Sequence, residues 1–298
     1  MPSTGTSRSP SRSIRRLPSI GGRSFPVRAK GYLDTDATAT AFGLVFFDRA
    51  GQPHLLAQSG TDQVLAPIPT RVGRDVRLSA KADARRPLVA FTQPSAHGVS
   101  VQLASLVTRR SLDSIEVACA GSACKDVRIE AIDHGLVFVR TQAGTFVWDP
   151  KSTDAARWTL LGNGAFRVAD ARNGRVLWSF TPPTPASDSP VADWHFTQGA
   201  IDAQLSYDGR HILDWSPTLK PTEPGAHVIR LELKNAAWFT FDTDGSVLAA
   251  TRVDRSTAAE NQKSSSTIFD CGLSSGACER IGSVSTKSGD PIFIGNDM

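Results

Sequence analysis

A tight turn that keeps returning in front of a short apolar run constrains this chain more than any other feature. Its clearest copy is Ser206 to Trp215, SYDGRHILDW, where Asp208-Gly209 precedes Ile212 and Leu213. Weaker copies open at Asp83 (DARRPLVAF), Asp133 (DHGLVFVRT), Asn173 (NGRVLWSF), Asp244 (DGSVLAAT) and Ser288 (SGDPIFI). The turn glycine, or the alanine in its place, falls at 84, 135, 174, 209, 245 and 289, at intervals of 51, 39, 35, 36 and 44 residues. A period of about 40 residues is that of a four-stranded propeller blade.

Between the turns the apolar residues come in runs of four or five, or alternate with polar ones, as in GVSVQLASL from Gly98 and HVIRLEL from His227. Both patterns suit strands, and no segment sustains a helical period. The clearest unit is Val127 to Gly162, where VRIEAID, GLVFVRT, GTFVWDP and ARWTLLG are four short strands separated by turns. Two Pro-rich loops interrupt the series: Thr181 to Ala192, and SPTLKPTEPG from Ser216. The prediction is an all-β fold, a β-propeller of six blades with seven as the alternative.

LSYDGRHIL and FDTDGSVLA resemble the Ser-x-Asp-Gly-x-x-Leu repeats of TolB-type and related WD-repeat-like propellers, and FVWDP and TIFDCGLSSGACERI look like outer hairpins of such blades. The resemblance covers about residues 40 to 298. It implies architecture and little about role, because members share a fold and not a function. It also suggests a closure. FFDRAG has an outer-hairpin look and SGDPIFI an inner-strand look, so N-terminal outer strands are expected to complete a blade begun by C-terminal inner strands.

The net charge of +4 is unevenly placed. Residues 1 to 30 carry seven Lys or Arg and no acid; without those seven, 26 basic residues face 29 acidic ones, about −3. A Ser/Pro/Arg-rich stretch without apolar periodicity cannot bury enough surface to fold, so 1–30 is expected to be a disordered basic tail and 31–298 the propeller. With the basicity confined there, no nucleic-acid-binding face is expected. No apolar stretch is long enough for a membrane helix. Arg15-Arg16 would suit an export signal, but LPSIGG follows where an apolar core is required.

Cys119 and Cys124 are separated by four residues, Cys271 and Cys278 by six, each pair flanking a Gly/Ser-rich loop of hairpin length. Opposed residues of an antiparallel hairpin lie within disulfide reach, so two local disulfides are the simplest reading. Free thiols are one alternative. A four-thiolate zinc site is the other, although these loops exceed the usual ligand spacing. Disulfides favour an extracytoplasmic protein whose export element is not in this chain, over a cytoplasmic one.

The six histidines fit no metal-site or HExxH spacing, and no GxSxG elbow marks a nucleophile. Asp242 and Asp244 lack the later ligands of a calcium loop. No cofactor, metal or catalytic set is expected. The candidate binding residues are Asp193, Trp194 and His195, which follow one Pro-rich loop, and Trp215, which precedes the other; the alternative is that both tryptophans fill space between blades. The expected function is a non-catalytic, monomeric binding scaffold for a protein, peptide or glycan. The alternative is a propeller enzyme, a glycan hydrolase or lyase, with carboxylates in the channel.

Overall fold

The computed structural model describes residues 38–66, 76–251 and 263–287, apart from positions 41, 49, 58, 215, 234, 235 and 244, together with two short paired strands, β1 (Ser19–Ile20) and β2 (Arg23–Ser24). The rest of the 1–30 segment, Trp215, Asp244 and the SGDPIFI segment lie outside the described residues.

Six further sheets follow in chain order; the turns at 84, 135, 174, 209 and 245 join the first two strands of the second to sixth. The first holds β3 (Thr38–Thr40), β4 (Gly43–Phe47), β5 (Pro53–Leu56) and β6 (Asp62–Val64); the second β7 (Ala80–Ala82), β8 (Leu88–Pro94), β9 (Gly98–Ser105) and β10 (Ser111–Ala118). The third holds β11 (Arg128–Asp133), β12 (Leu136–Arg140), β13 (Gly144–Trp148) and β14 (Trp158–Asn163); the fourth β15 (Arg167–Arg172), β16 (Arg175–Ser179) and β17 (His195–Gln198). The fifth holds β18 (Gln204–Leu205), β19 (His211–Leu213), β20 (Thr218–Pro221) and β21 (Ile229–Arg230); the sixth β22 (Ala236–Thr243), β23 (Ser246–Thr251), β24 (Lys263–Gly272) and β25 (Cys278–Lys287). The first strands of successive sheets pack side by side, β3 on β7, β7 on β11, β11 on β15, β15 on β18 and β18 on β22. They form the inner wall of a ring, and the molecule is a six-bladed β-propeller.

The first sheet, which holds Phe46 and Phe47, has four strands of its own, as does the sixth; the SGDPIFI segment through which a shared blade was expected lies outside the described residues. Two expectations need correction. The fourth blade is not a complete meander, because β17 runs parallel to β16. The loop between them, with Pro182, Pro183, Pro185 and Pro190, is poor in ladder donors and long enough to return the chain to the end where β16 began. In HVIRLEL only Ile229 and Arg230 pair as a strand; the Leu231 amide bonds Pro217 and that of Leu233 turns back onto Leu231.

The core lies between blades rather than within one. Val45, Phe47 and Leu55 of the first meet Val89 and Phe91 of the second; Val99 and Val101 meet Ile129 and Trp148; Phe138 and Val147 meet Val168 and Val176. Leu177 packs on Leu205 and Ile212, and Leu213 and Leu219 on Phe241 and Val247. Each blade therefore buries both faces, which explains apolar runs where one-faced strands would alternate.

Both disulfides form, Cys119–Cys124 and Cys271–Cys278. Cys271 and Cys278 are opposed partners of the β24–β25 hairpin, as expected. Cys119 and Cys124 instead brace a 3-10 turn, Gly121–Asp126, that carries the chain from the outer edge of the second blade to the inner strand of the third.

Candidate functional site: the channel mouth

The inner strands of neighbouring blades meet without a backbone ladder, so their peptide groups need other partners. Side chains supply them. Ser79 accepts the Ile129 amide at 3.0 Å, Glu130 accepts the Val168 amide at 2.9 Å, and Asp170 accepts the Leu205 amide at 2.9 Å. The Thr38 hydroxyl donates to the Ala80 carbonyl, and that of Thr240 to the Gln204 side chain. A second tier joins the repeated turns. Asp83 accepts from Gly135 and Asp133 from Gly174, while the Asn173 side chain donates to the Asp208 carbonyl.

At the end of the ring where the inner strands begin, these strands enclose a cavity of about 530 Å³ with lining from all six blades, from Thr38 in the first to Phe239 in the sixth. Its wall on blades two to four is cationic. Arg77 and Ser79, just ahead of β7, and Lys81 within it line the cavity, alternating with buried Leu78 and Ala80. Arg128 opens β11 and Arg167 opens β15, at matching positions on the next two blades. Across from them, Ile201, Asp202 and Gln204 line the fifth blade's side.

Of the acidic side chains here, Glu130, Asp170 and Asp214 are engaged. Besides Val168, Glu130 accepts the Thr145 hydroxyl at 3.1 Å, and its other oxygen lies 3.6 Å from Arg128 and 4.0 Å from Arg167. Burial pushes the Glu130 carboxyl above its ordinary range, against the pull of those hydrogen bonds and arginines. Asp214 takes the Lys220 ammonium at 2.6 Å, and Asp170 the Arg172 guanidinium at 3.1 Å. Arg172 also covers the Tyr207 ring, its guanidinium carbon 4.4 Å from the centroid.

Lys81 differs from these pairs. It is exposed because it opens onto the channel, yet protein surrounds the channel, and the resulting desolvation, with Arg172 and Arg128 nearby, holds its ammonium below the usual lysine range although Asp170 opposes this. Among the described residues no carboxylate lies within ion-pair distance of Lys81 or Arg77. No group of three or more potential metal ligands occurs among them either.

The candidate residues read from the sequence lie elsewhere. Asp193 and His195 are exposed at the start of β17, the outermost strand of the fourth blade. Trp194 is half-buried between the third and fourth blades, its ring edge-on to His134 at 5.8 Å and 5.9 Å from Phe138. The three sit on the rim beside the Asn173-Gly174 turn, where the His195 amide bonds the Gly174 carbonyl. The sequence does carry a sign of the channel residues: an arginine stands six residues before Asp83, five before Asp133 and five before Arg172, ahead of three of the turns. Charged side chains at that register, in strands otherwise apolar on both faces, have only the channel to occupy.

No known family matches the sequence, and no curated protein matches it. Solved structures do resemble it. A putative TolB from Agrobacterium tumefaciens aligns over 91% of this chain and 88% of its own at 9% identity and a TM-score of 0.40. Hsv2 from Kluyvelomyces marxianus aligns over 84% and 98% at 11% identity and a TM-score of 0.43. The Cps50 (Swd1) β-propeller domain of Myceliophteria thermophila aligns over 86% and 98% at 10% identity and a TM-score of 0.40. The likeness is to the architecture of TolB and WD-repeat propellers, and it concerns fold alone.

Proposed function

We propose that this chain is a non-catalytic binding propeller that receives a protein or peptide partner at the channel mouth. The observation that carries the reading is the cavity itself, about 530 Å³ and lined by every blade. That volume lies within the range of ligand sites, and a rigid ring presenting converging side chains is how such folds acquire partners. Two features favour binding over glycan hydrolysis. Glu130, the channel carboxyl raised by burial, has its oxygens turned to Val168, Thr145 and two arginines rather than offered to a substrate. Phe239, the aromatic residue of the wall, is only 8% exposed and offers no platform for a sugar face.

The two disulfides support an oxidising, extracytoplasmic setting. Among the described residues no helix is long and apolar enough to cross a membrane. The basic 1–30 segment, in which β1 and β2 pair, is read as a tail outside the 31–298 propeller.

The test is selection of a displayed peptide library on the full chain, followed by comparison with Ile201→Trp, which fills the mouth. Selected peptides are expected to bind the native chain, to lose affinity for the variant, and to slow amide exchange at the start of β7, β11 and β15. Equal binding to both proteins, or release of reducing ends from polysaccharide by the purified chain, overturns the reading.

A further inference from the structure

We infer that the partner segment received at the mouth is acidic, its carboxylates set against Arg77, Lys81, Arg128 and Arg167. The inference rests on the reading of the mouth as the binding surface and adds the chemistry of what enters. Four cations line one cavity, Lys81, Arg128 and Arg167 from three consecutive inner strands and Arg77 from the segment leading into the first of them. Glu130 answers only two of them, and at 3.6 and 4.0 Å it is beyond hydrogen-bond distance of both. Arg77 and Lys81 have no carboxylate in ion-pair range among the described residues. The enclosure that holds Lys81 below its usual range is relieved by an anion placed beside it.

The spread of these charges favours a chain over a free anion. A single phosphate is gripped where donors converge, whereas cations distributed over three blades match carboxylates distributed along a peptide. The fifth blade's part of the lining sets its orientation. Ile201 is 43% exposed there and offers an apolar contact, and Asp202 beside it repels acids toward blades two to four.

Fluorescence anisotropy of the full chain with a labelled hexaglutamate peptide tests this, with hexalysine and inorganic phosphate as comparison probes. Hexaglutamate is expected to bind, more weakly as salt is raised, and hexalysine not to bind. Because the basic residues of 1–30 also attract the peptide, the channel variants decide. Lys81→Met and Arg77→Met should each weaken binding about fivefold or more, and Asp202→Asn should leave it equal or tighter. Melting temperatures of the three variants close to the native value establish that the ring is intact. The inference is overturned if hexaglutamate affinity is indifferent to both cation variants, or if phosphate displaces the peptide and binds as tightly by itself. Library peptides that compete at the mouth but carry no acidic bias would leave the mouth as a binding surface and remove the acidic ligand.

Discussion

The Gly174 amide donates to the Asp133 carboxylate at 2.8 Å, so the turn of the fourth blade hangs from the inner strand of the third. One blade earlier Gly135 donates to Asp83 at 2.9 Å in the same way. The next joint has Arg172 where an aspartate stood, and there Asn173 reaches the Asp208 turn while Arg172 covers Tyr207. From the second blade to the fifth the repeated turn is thus the hook by which a blade holds its neighbour. Its acidic residue serves a backbone donor that the ring would otherwise bury unpaired.

Asp133 is 1% exposed, and burial pushes its carboxyl above the ordinary range, with Asp83 adding to the rise and the Gly174 amide and His134 opposing it. A carboxyl raised in the folded state binds its proton more tightly there than when unfolded. Its contribution is therefore most favourable below the unfolded pKa and declines as pH rises through the folded one. Asp133→Asn retains an acceptor for Gly174 and carries no charge, so its melting temperature should gain on the native protein as pH is raised from acid toward neutral. Asp133→Ala leaves the Gly174 donor unpaired and should cost about 1–3 kcal/mol. Thermal melts of the three proteins across pH check both; a native-to-Asn difference independent of pH would overturn the assignment.

Gly209 has φ +74°, and a side chain there would place Cβ 3.0 Å from the Arg172 carbonyl oxygen. Gly209→Val should cost about 2–3 kcal/mol, roughly 4–10 °C in melting temperature. At Gly245 an added Cβ meets nothing within 4 Å, and Gly245→Ala should stay within about 0.5 kcal/mol. Circular-dichroism melts separate the two. An unchanged melting temperature in Gly209→Val would mean the turn is not what seats the fifth blade on the fourth.

Two bridges remove four hydrogens, which intact mass before and after reduction reads directly. The bridges close short loops, so Cys271→Ala with Cys278→Ala should cost about 2 kcal/mol. The channel is remote in the sequence from this outer hairpin, and binding at the mouth should persist. Free thiols in the native protein would remove the support for an oxidising compartment.

Glu130→Gln keeps an acceptor for Val168 and Thr145 while removing the charge beside Arg128 and Arg167. Hexaglutamate affinity should rise about two- to fivefold. The gain should grow as pH rises through the raised titration of Glu130, since only the ionised carboxylate competes with the ligand. Anisotropy titrations at several pH values test this. Weaker binding in the variant would mean that Glu130 supports the ligand rather than rivals it.

The period of the Asp-Gly turns, the apolar runs and the absence of helical periodicity pointed to a propeller, six blades with seven open, because a blade is a local object of about 40 residues; the count of six came from the structure. The Cys271–Cys278 bridge was legible for the same reason: opposed hairpin positions follow from short spacing. What depended on distance was not. The parallel β17 and the packing of Trp194 on Phe138 and His134 are set by contacts whose separation in sequence says nothing of their separation in space. The recurring turn first pointed to blades, and only the ring disclosed its second role as the clasp between them. Likewise the register of Arg77, Arg128 and Arg167 ahead of three turns is visible in the sequence, but not that they and Lys81 share one cavity. Closing six inner strands around one axis brought them to a single mouth, because neighbouring first strands must stand side by side and the face without a core has only the channel to fill.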